Sequence, residues 1–330
     1  MKHLDLTHRP RRNRINTHVR EMVAETHVTT PQLILPLFVA EKTTNKVEIK
    51  TMPGIYRHTI KSALLEIEKA MQLGVGAFAL FPAIHEANKD KHASESINEK
   101  GFLPQLIIEI KKQFPACVLI SDLALDPFSA DGHDGFVQNG KIINDETVLR
   151  LGEMAVLHAQ CGVDIVAPSD MMDGRVGHIR KSLDEKGFIE TSIMAYTAKY
   201  ASSFYGPFRD ALDSAPKAGD KKTYQMDFRN SKEAIRETLL DLSEGADFVM
   251  VKPALSYLDV IQSIKKVSHV PVAAYNVSGE YAMIKAAAAA GMLDETSAMV
   301  ETLYSIKRAG ADVILTYFAI EMAQWLKENK

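Results

Sequence analysis

A repeated pairing of amphipathic segments with unbroken apolar runs organises this chain. A helix-like segment ends in glycine, and a nearly continuous apolar run follows. The pairing occurs at QLGVGAFALFP (72–82), QCGVDIVAPSD (160–170), SEGADFVMVKP (243–253) and RAGADVILTYF (308–318). The glycine suits the left-handed position that closes a helix. A run without polar alternation suits a strand buried on both faces, as in a parallel sheet. Weaker versions stand at QLILPLFVA (32–40), ACVLISDLALDP (116–127), TSIMAYTAKY (191–200) and VPVAAYNVSG (270–279). Helical periodicity fills the intervals, as in SALLEIEKAMQLG (62–74) and ETVLRLGEMAVLHAQCG (146–162). Eight strand–helix units in 330 residues predict an α/β fold, a (β/α)8 TIM barrel over 32–330. A doubly wound sheet is the alternative, but it usually has fewer strands. Residues 1–31 stand outside the pattern. They carry RPRRNR (9–14) and a few apolar residues, Ile15, Val19, Met22 and Val23. They read either as a basic tail or as an arm that packs on a neighbouring subunit.

Composition narrows the classes. The chain is 46% hydrophobic and 25% charged, as in ordinary soluble globular proteins. A net charge of −3 gives no general attraction to nucleic acid, and no aromatic residue interleaves the N-terminal arginines. No window approaches the roughly 18 apolar residues of a membrane span. The opening MKHLDLTHRPRRNR has no apolar stretch of the secretory kind. The two cysteines, Cys117 and Cys161, are expected as small buried hydrophobes in a reducing cytoplasm rather than as a disulfide.

The candidate chemistry lies at the predicted strand ends, where barrels of this kind place their catalytic groups. Lys199 and Lys252 close the fifth and sixth runs. Lysine is rare in strands and seldom buried without a partner or a role. Desolvation and a second nearby cation both lower an amine's pKa, and a neutral lysine adds to carbonyls. Two such lysines predict an enzyme handling two carbonyl substrates together. The third run leads into Asp122, Asp126 and the turn Gly132-His133-Asp134-Gly135. The fourth ends in PSDMMDGR (168–175), the seventh in Tyr275 and Ser278, and the eighth in Thr316 and Tyr317. The stretch 201–229 is long for a connection and carries Arg209, Lys217, Lys221 and Lys222, which suits a cationic lid over an anionic substrate. Asp122, Asp126 and Asp134 read either as turn formers or as all-oxygen ligands for Mg2+ or a monovalent ion.

Several segments together resemble the 5-aminolevulinate dehydratase, or porphobilinogen synthase, family. They are RPRR, LPLFV (35–39), APSDMMDGR (167–175), AYTAKYASSFYGPFRDA (195–211), EGADFVMVKP (244–253), YNVSGEY (275–281) and LTYF (315–318). The resemblance covers nearly the whole chain. It implies a lyase that condenses two 5-aminolevulinate molecules to porphobilinogen for tetrapyrrole synthesis, losing two waters. It makes Lys252 the Schiff-base lysine of the first-binding P site and Lys199 the lysine of the A site. Ser278 and Tyr317 would hold the P-site carboxylate, and Arg209 and Lys221, with Gln225 nearby, the A-site carboxylate. Lys221 stands where some members have arginine, which keeps the charge but loses the bidentate fork. Asp122 and Ser169 would lie near the substrate amines, with Tyr196, Phe204 and Tyr275 as pocket walls.

Zinc-dependent members place three cysteines where this chain has Ala124, Asp126 and Asp134. The chain therefore resembles the zinc-independent, aspartate-rich subgroup, and no zinc is expected. Asp126 and Asp134 are the candidate ligands for an active-site Mg2+ or monovalent cation. Glu237, in SKEAIRETLLDLSEG (231–245), corresponds to the ligand of an allosteric Mg2+ in that subgroup. Read without the resemblance, Glu233 and Glu237 are a solvated helix face. The resemblance also implies a homo-octamer in which the arm 1–31 embraces a neighbour. Two departures stand out. Ala254, Leu255 and Ser256 replace the Gly, Met and Pro common after the Lys-Pro pair, and Asn276 fills a variable position. A class I aldolase would need only one reactive lysine. A binding protein on the same fold would need none.

Overall fold

Eight parallel strands pair in sequence order and close on themselves in the computed structural model, which describes residues 4–212 and 216–329. They are β1 (Leu33–Ala40), β2 (Ala77–Ala83), β3 (Val118–Leu123), β4 (Ile165–Pro168), β5 (Ser192–Lys199), β6 (Phe248–Lys252), β7 (Val272–Asn276) and β8 (Val313–Thr316). Closure runs through Leu33 opposite Ile314 and Ile34 opposite Leu315. Helices lie between successive strands, so the architecture is the expected (β/α)8 barrel. Each strand overlaps a predicted apolar run. β1, β4 and β7 are buried almost throughout, which explains why they lack alternation. The helix Ile60–Gln72 buries Ala63, Ile67 and Ala70 against the barrel, the spacing of one helical face. The repeated glycines Gly74, Gly162, Gly245 and Gly310 all have positive φ, between 88° and 123°. Each ends its helix where a β-carbon would strain the backbone.

Three features were not legible as strands or helices. A hairpin, Phe136–Gln138 with Lys141–Ile143, follows β3. Two short strands, Val47–Glu48 and Tyr56–His58, lie beside β1. Runs of two or three residues are too short to show a period. The stretch 201–229 is partly folded, with a turn at Ser203–Tyr205 and a helix at Gly206–Leu212. Residues 213–215 of the expected lid and 1–3 of the expected arm lie outside the described residues. The rest of residues 4–31 form a turn at Pro10–Arg14 and a helix at Thr17–Met22, neither of which buries a residue. Both cysteines are free. Cys117 is buried as expected, whereas Cys161 is only half-buried at the end of its helix. Among the described residues no helix is long and apolar enough to cross a membrane.

Candidate active site

β5 and β6 bring the two lysines together. Their register slips between Val249 and Val251, after which Val251 pairs with Ala198 and Lys252 with Lys199. Side chains alternate along a strand, so a one-residue slip decides which residues share a face. Here it sets both amines side by side at the C-terminal end of the barrel. Both lysines are buried.

Lys252 Nζ lies over four aromatic rings, at 4.6 Å from Tyr275, 4.9 Å from Phe208, 5.1 Å from Tyr196 and 5.2 Å from Tyr205. Ring faces favour an ammonium. Burial nevertheless pushes the Lys252 pKa down to about 7, with the positive charge of Lys199 adding to it and Asp122, Asp134 and Asp126 opposing. Tyr205 and Phe208 belong to this cage and were missed in the sequence. Tyr205 closes the turn Ser203–Tyr205 and Phe208 lies three residues on, in the short helix that follows.

Lys199 and Lys221 converge on one carboxylate. Lys199 Nζ donates to Asp134 Oδ2 at 3.0 Å and to the Ser169 carbonyl. Lys221 Nζ donates to Asp134 Oδ1 and, at 3.4 Å, to Asp126 Oδ2. Burial raises the Asp134 carboxyl, but the charges of Lys199 and Lys221 outweigh it and hold the pKa below the usual carboxylate range. Burial lowers Lys221, and Asp126 and Asp134 more than compensate, so its pKa is raised. Lys221 was expected as a grip on a substrate carboxylate; in this structure its ammonium sits on Asp126 and Asp134. Lys217 and Lys222 pair with Glu86 and Asp220 at the surface, so neither faces the pocket. Arg209 is half-buried on the lid helix, where its charge reaches Tyr205 and Tyr224. Gln225 is buried, and its Oε1 has no hydrogen-bond partner among the described residues.

Asp122, in β3, accepts from Ser169 Oγ at 3.0 Å, while its Oδ1 is buried without a partner among the described residues. Burial drives its pKa up to about 7 against the charges of Lys199 and Lys252. A carboxyl near neutrality beside two amines can carry a proton between them. On the other side, the hydroxyls of Tyr275 and Tyr317 lie 3.0 Å apart. Ser278 Oγ accepts from the Phe208 N–H at 3.0 Å and donates to the Phe204 carbonyl at 3.2 Å. The lid thus seats on the N-terminus of the helix Ser278–Ala289. Gly279 permits this approach, because a β-carbon there would lie 2.6 Å from the Phe204 oxygen. The far end of the lid rests on the turn before β-hairpin 136–143. His133 contacts Tyr224 Oη at 3.1 Å and the Ala218 carbonyl at 2.9 Å, and the Lys217 N–H donates to Asp131.

The acidic groups divide into two environments. Asp126 and Asp134 are engaged by Lys199 and Lys221, and among the described residues no three His, Cys, Asp or Glu side chains gather as a metal site. That donor set, with ammoniums between the oxygens, does not fit a divalent ion. Glu237 differs. It stands half-buried on the helix Lys232–Ser243 and, with Glu233 and Asp173, lines a cavity of about 1140 Å3. Burial raises its pKa, Asp241, Asp173 and Glu233 add to the rise, and Arg175 opposes it. Among the described residues these carboxylates are not gathered into a three-ligand cluster either, but an Mg2+ that keeps most of its waters needs only one or two carboxylates.

Comparison with known proteins bears on this geometry. A family model described as Delta-aminolevulinic acid dehydratase matches residues 7–325. The chloroplastic delta-aminolevulinic acid dehydratase of Physcomitrium patens is 55% identical over 96% of this chain and 74% of its own length. The enzyme of Bradyrhizobium diazoefficiens is 51% identical over 98% of this chain and 92% of its own. The crystal structure of the Toxoplasma gondii enzyme, in complex with the reaction product porphobilinogen, superposes with a TM-score of 0.97. It is 52% identical and covers 99% of this chain and 94% of that one.

Proposed function

This chain belongs to the delta-aminolevulinic acid dehydratase family, and from that premise we propose that Lys252 and Lys199 perform its chemistry through two imines. The enzyme is a lyase that condenses two molecules of 5-aminolevulinate, with loss of two waters, to porphobilinogen in tetrapyrrole synthesis. The observation that carries the residue assignment is the pairing of two buried strand-end amines, one of them lowered to about 7. The free Lys252 amine adds to the ketone of the first substrate, and the carbinolamine loses water to form an imine. The protonated imine withdraws electrons and eases loss of a proton from the adjacent carbon. Asp122 lies where it can take such a proton. Ser278 and Tyr317 hold the first carboxylate; Arg209, Gln225 and Lys221 hold the second. For that, Lys221 leaves Asp126 and Asp134 for the substrate. Lys199 then keeps Asp134 as partner until it, too, meets a ketone.

This assignment has a pH signature. Only the unprotonated Lys252 amine reacts, so kcat/KM should rise through about pH 7 and fall tenfold per unit below it. Asp122 favours the Lys252 ammonium, so Asp122→Asn should move that midpoint to lower pH. A midpoint that moves upward would count against the assignment.

We propose further that Mg2+ binds at Glu237 and that no zinc or other divalent ion acts at Asp126 and Asp134. Bound there, Mg2+ would supply positive charge to a carboxylate-rich cavity. The arm 4–31 exposes Leu4, Leu6, Ile15 and Met22, apolar surface that suits packing on a neighbouring subunit in an octamer. Chelation followed by Mg2+ titration should therefore change both porphobilinogen output and elution volume on a sizing column. Zinc should not be required. Unchanged output and size across the titration would remove the Glu237 site.

A further inference from the structure

Behind the proposed P site runs a second layer of buried polar groups that the reaction does not use. Glu280 is fully buried in the first turn of the helix Ser278–Ala289. Its Oε1 accepts from the Leu255 N–H at 2.8 Å. Its Oε2 accepts from the Val277 N–H at 2.9 Å and from Asn276 Nδ2 at 3.0 Å. Asn276 Oδ1 in turn accepts from Thr316 Oγ1 at 2.9 Å, and Thr316 Oγ1 accepts from the Phe318 N–H at 3.2 Å. Asn276 and Thr316 are themselves fully buried and directly opposite across β7 and β8.

The position of this layer is informative. Leu255 lies just after Lys252-Pro253, Asn276 and Val277 just before Ser278, and Thr316 just before Tyr317. One hydrogen-bonded chain therefore joins the segments carrying the amine and both carboxylate-binding hydroxyls. One of its donors, Asn276, is where the sequence departs from the family pattern, at a variable position.

We propose that Glu280, Asn276 and Thr316 form a clamp that fixes the spacing between Lys252 and the Ser278–Tyr317 pair, and so selects the chain length of the keto acid. These are positioning residues, and the proposal rests on the P-site reading above. A rigid buried network fits the purpose. Every N–H facing Glu280 must be matched, so the strand ends cannot drift apart without orphaning a buried group. A ketone held at one spacing from its carboxylate meets the amine; one methylene more misplaces it.

The test uses the full-length protein and two keto acids. Levulinate has the carboxylate-to-ketone spacing of 5-aminolevulinate, and 5-oxohexanoate is one methylene longer. Each forms an imine with loss of water, and borohydride delivers hydride to the imine carbon to leave a stable secondary amine. Peptide mass mapping then gives the fraction trapped at Lys252 as a function of keto-acid concentration. Wild type should favour levulinate. Thr316→Val, of nearly equal volume, and Glu280→Gln should lower that preference about tenfold, the scale at which pockets distinguish a methylene. Thr316→Ser should restore it, which a purely structural role of Thr316 would not require. Unchanged preference in Thr316→Val, with Lys252 still trapped, would overturn the clamp alone. Failure of wild type to trap levulinate at Lys252 while it turns over 5-aminolevulinate would overturn the P-site reading and the clamp with it. Should Glu280→Gln not fold, the Thr316 pair decides.

Discussion

Lys252→Ala is expected to lower porphobilinogen formation by at least about a thousandfold, the scale of losing a residue that acts as nucleophile. The amine is buried, aromatic rings close around it, and it is lowered to about 7, so no neighbouring group can replace it. Lys199, the adjacent amine, is held by Asp134 and the Ser169 carbonyl. The variant should remain folded, since shortening this side chain removes a desolvated cation rather than a packed apolar group. Steady-state turnover and the melting midpoint, measured on the same preparation, separate the two effects. Turnover within a few-fold of wild type would contradict the role given to Lys252.

Asp134→Asn is expected to cause the largest loss of stability. Asp134 is almost fully buried and accepts from both Lys199 and Lys221. The amide keeps the shape but removes the negative charge, leaving two buried ammoniums with only Asp126 within ion-pair distance of one of them. Breaking a buried ion pair by removing one partner costs about 3–5 kcal/mol. The pH dependence has a definite sign. The carboxyl is held below its unfolded value of about 4, so its contribution is present above that pH and fades as pH falls through the lower folded value. Urea midpoints for wild type and variant should therefore differ most at neutrality and converge below about pH 4. Equal midpoints at neutral pH would show that Asp134 does not hold the two lysines.

The barrel was legible because a parallel strand buried on both faces leaves an unbroken apolar run, and because each repeated glycine marks a helix end. Lys199 and Lys252 stood out for a related reason: a charged residue closing such a run has no ordinary place there. That both amines face one substrate space was expected from their places at consecutive strand ends; their direct pairing was not legible, since it depends on a slip at Val249–Val251 that leaves no mark in composition. The role of Lys221 was only half visible. Charge identified it as a cation, but its contacts with Asp126 and Asp134 join residues far apart in the chain. Lys217 and Lys222 carry the same charge in the same segment, and only burial distinguishes them from Lys221. Glu280 was invisible for the same reason. In sequence it is one more acidic residue in a first helical turn, and only the fold brings Leu255, Asn276 and Val277 to it.

The most direct measurement of the central claim is borohydride trapping with 5-aminolevulinate itself, followed by peptide mass mapping. A reduced adduct is expected on Lys252 at low substrate, joined by a second on Lys199 as substrate rises; in the Lys252→Ala protein the low-substrate adduct should be lost. Full porphobilinogen output with no adduct on either lysine would contradict that claim.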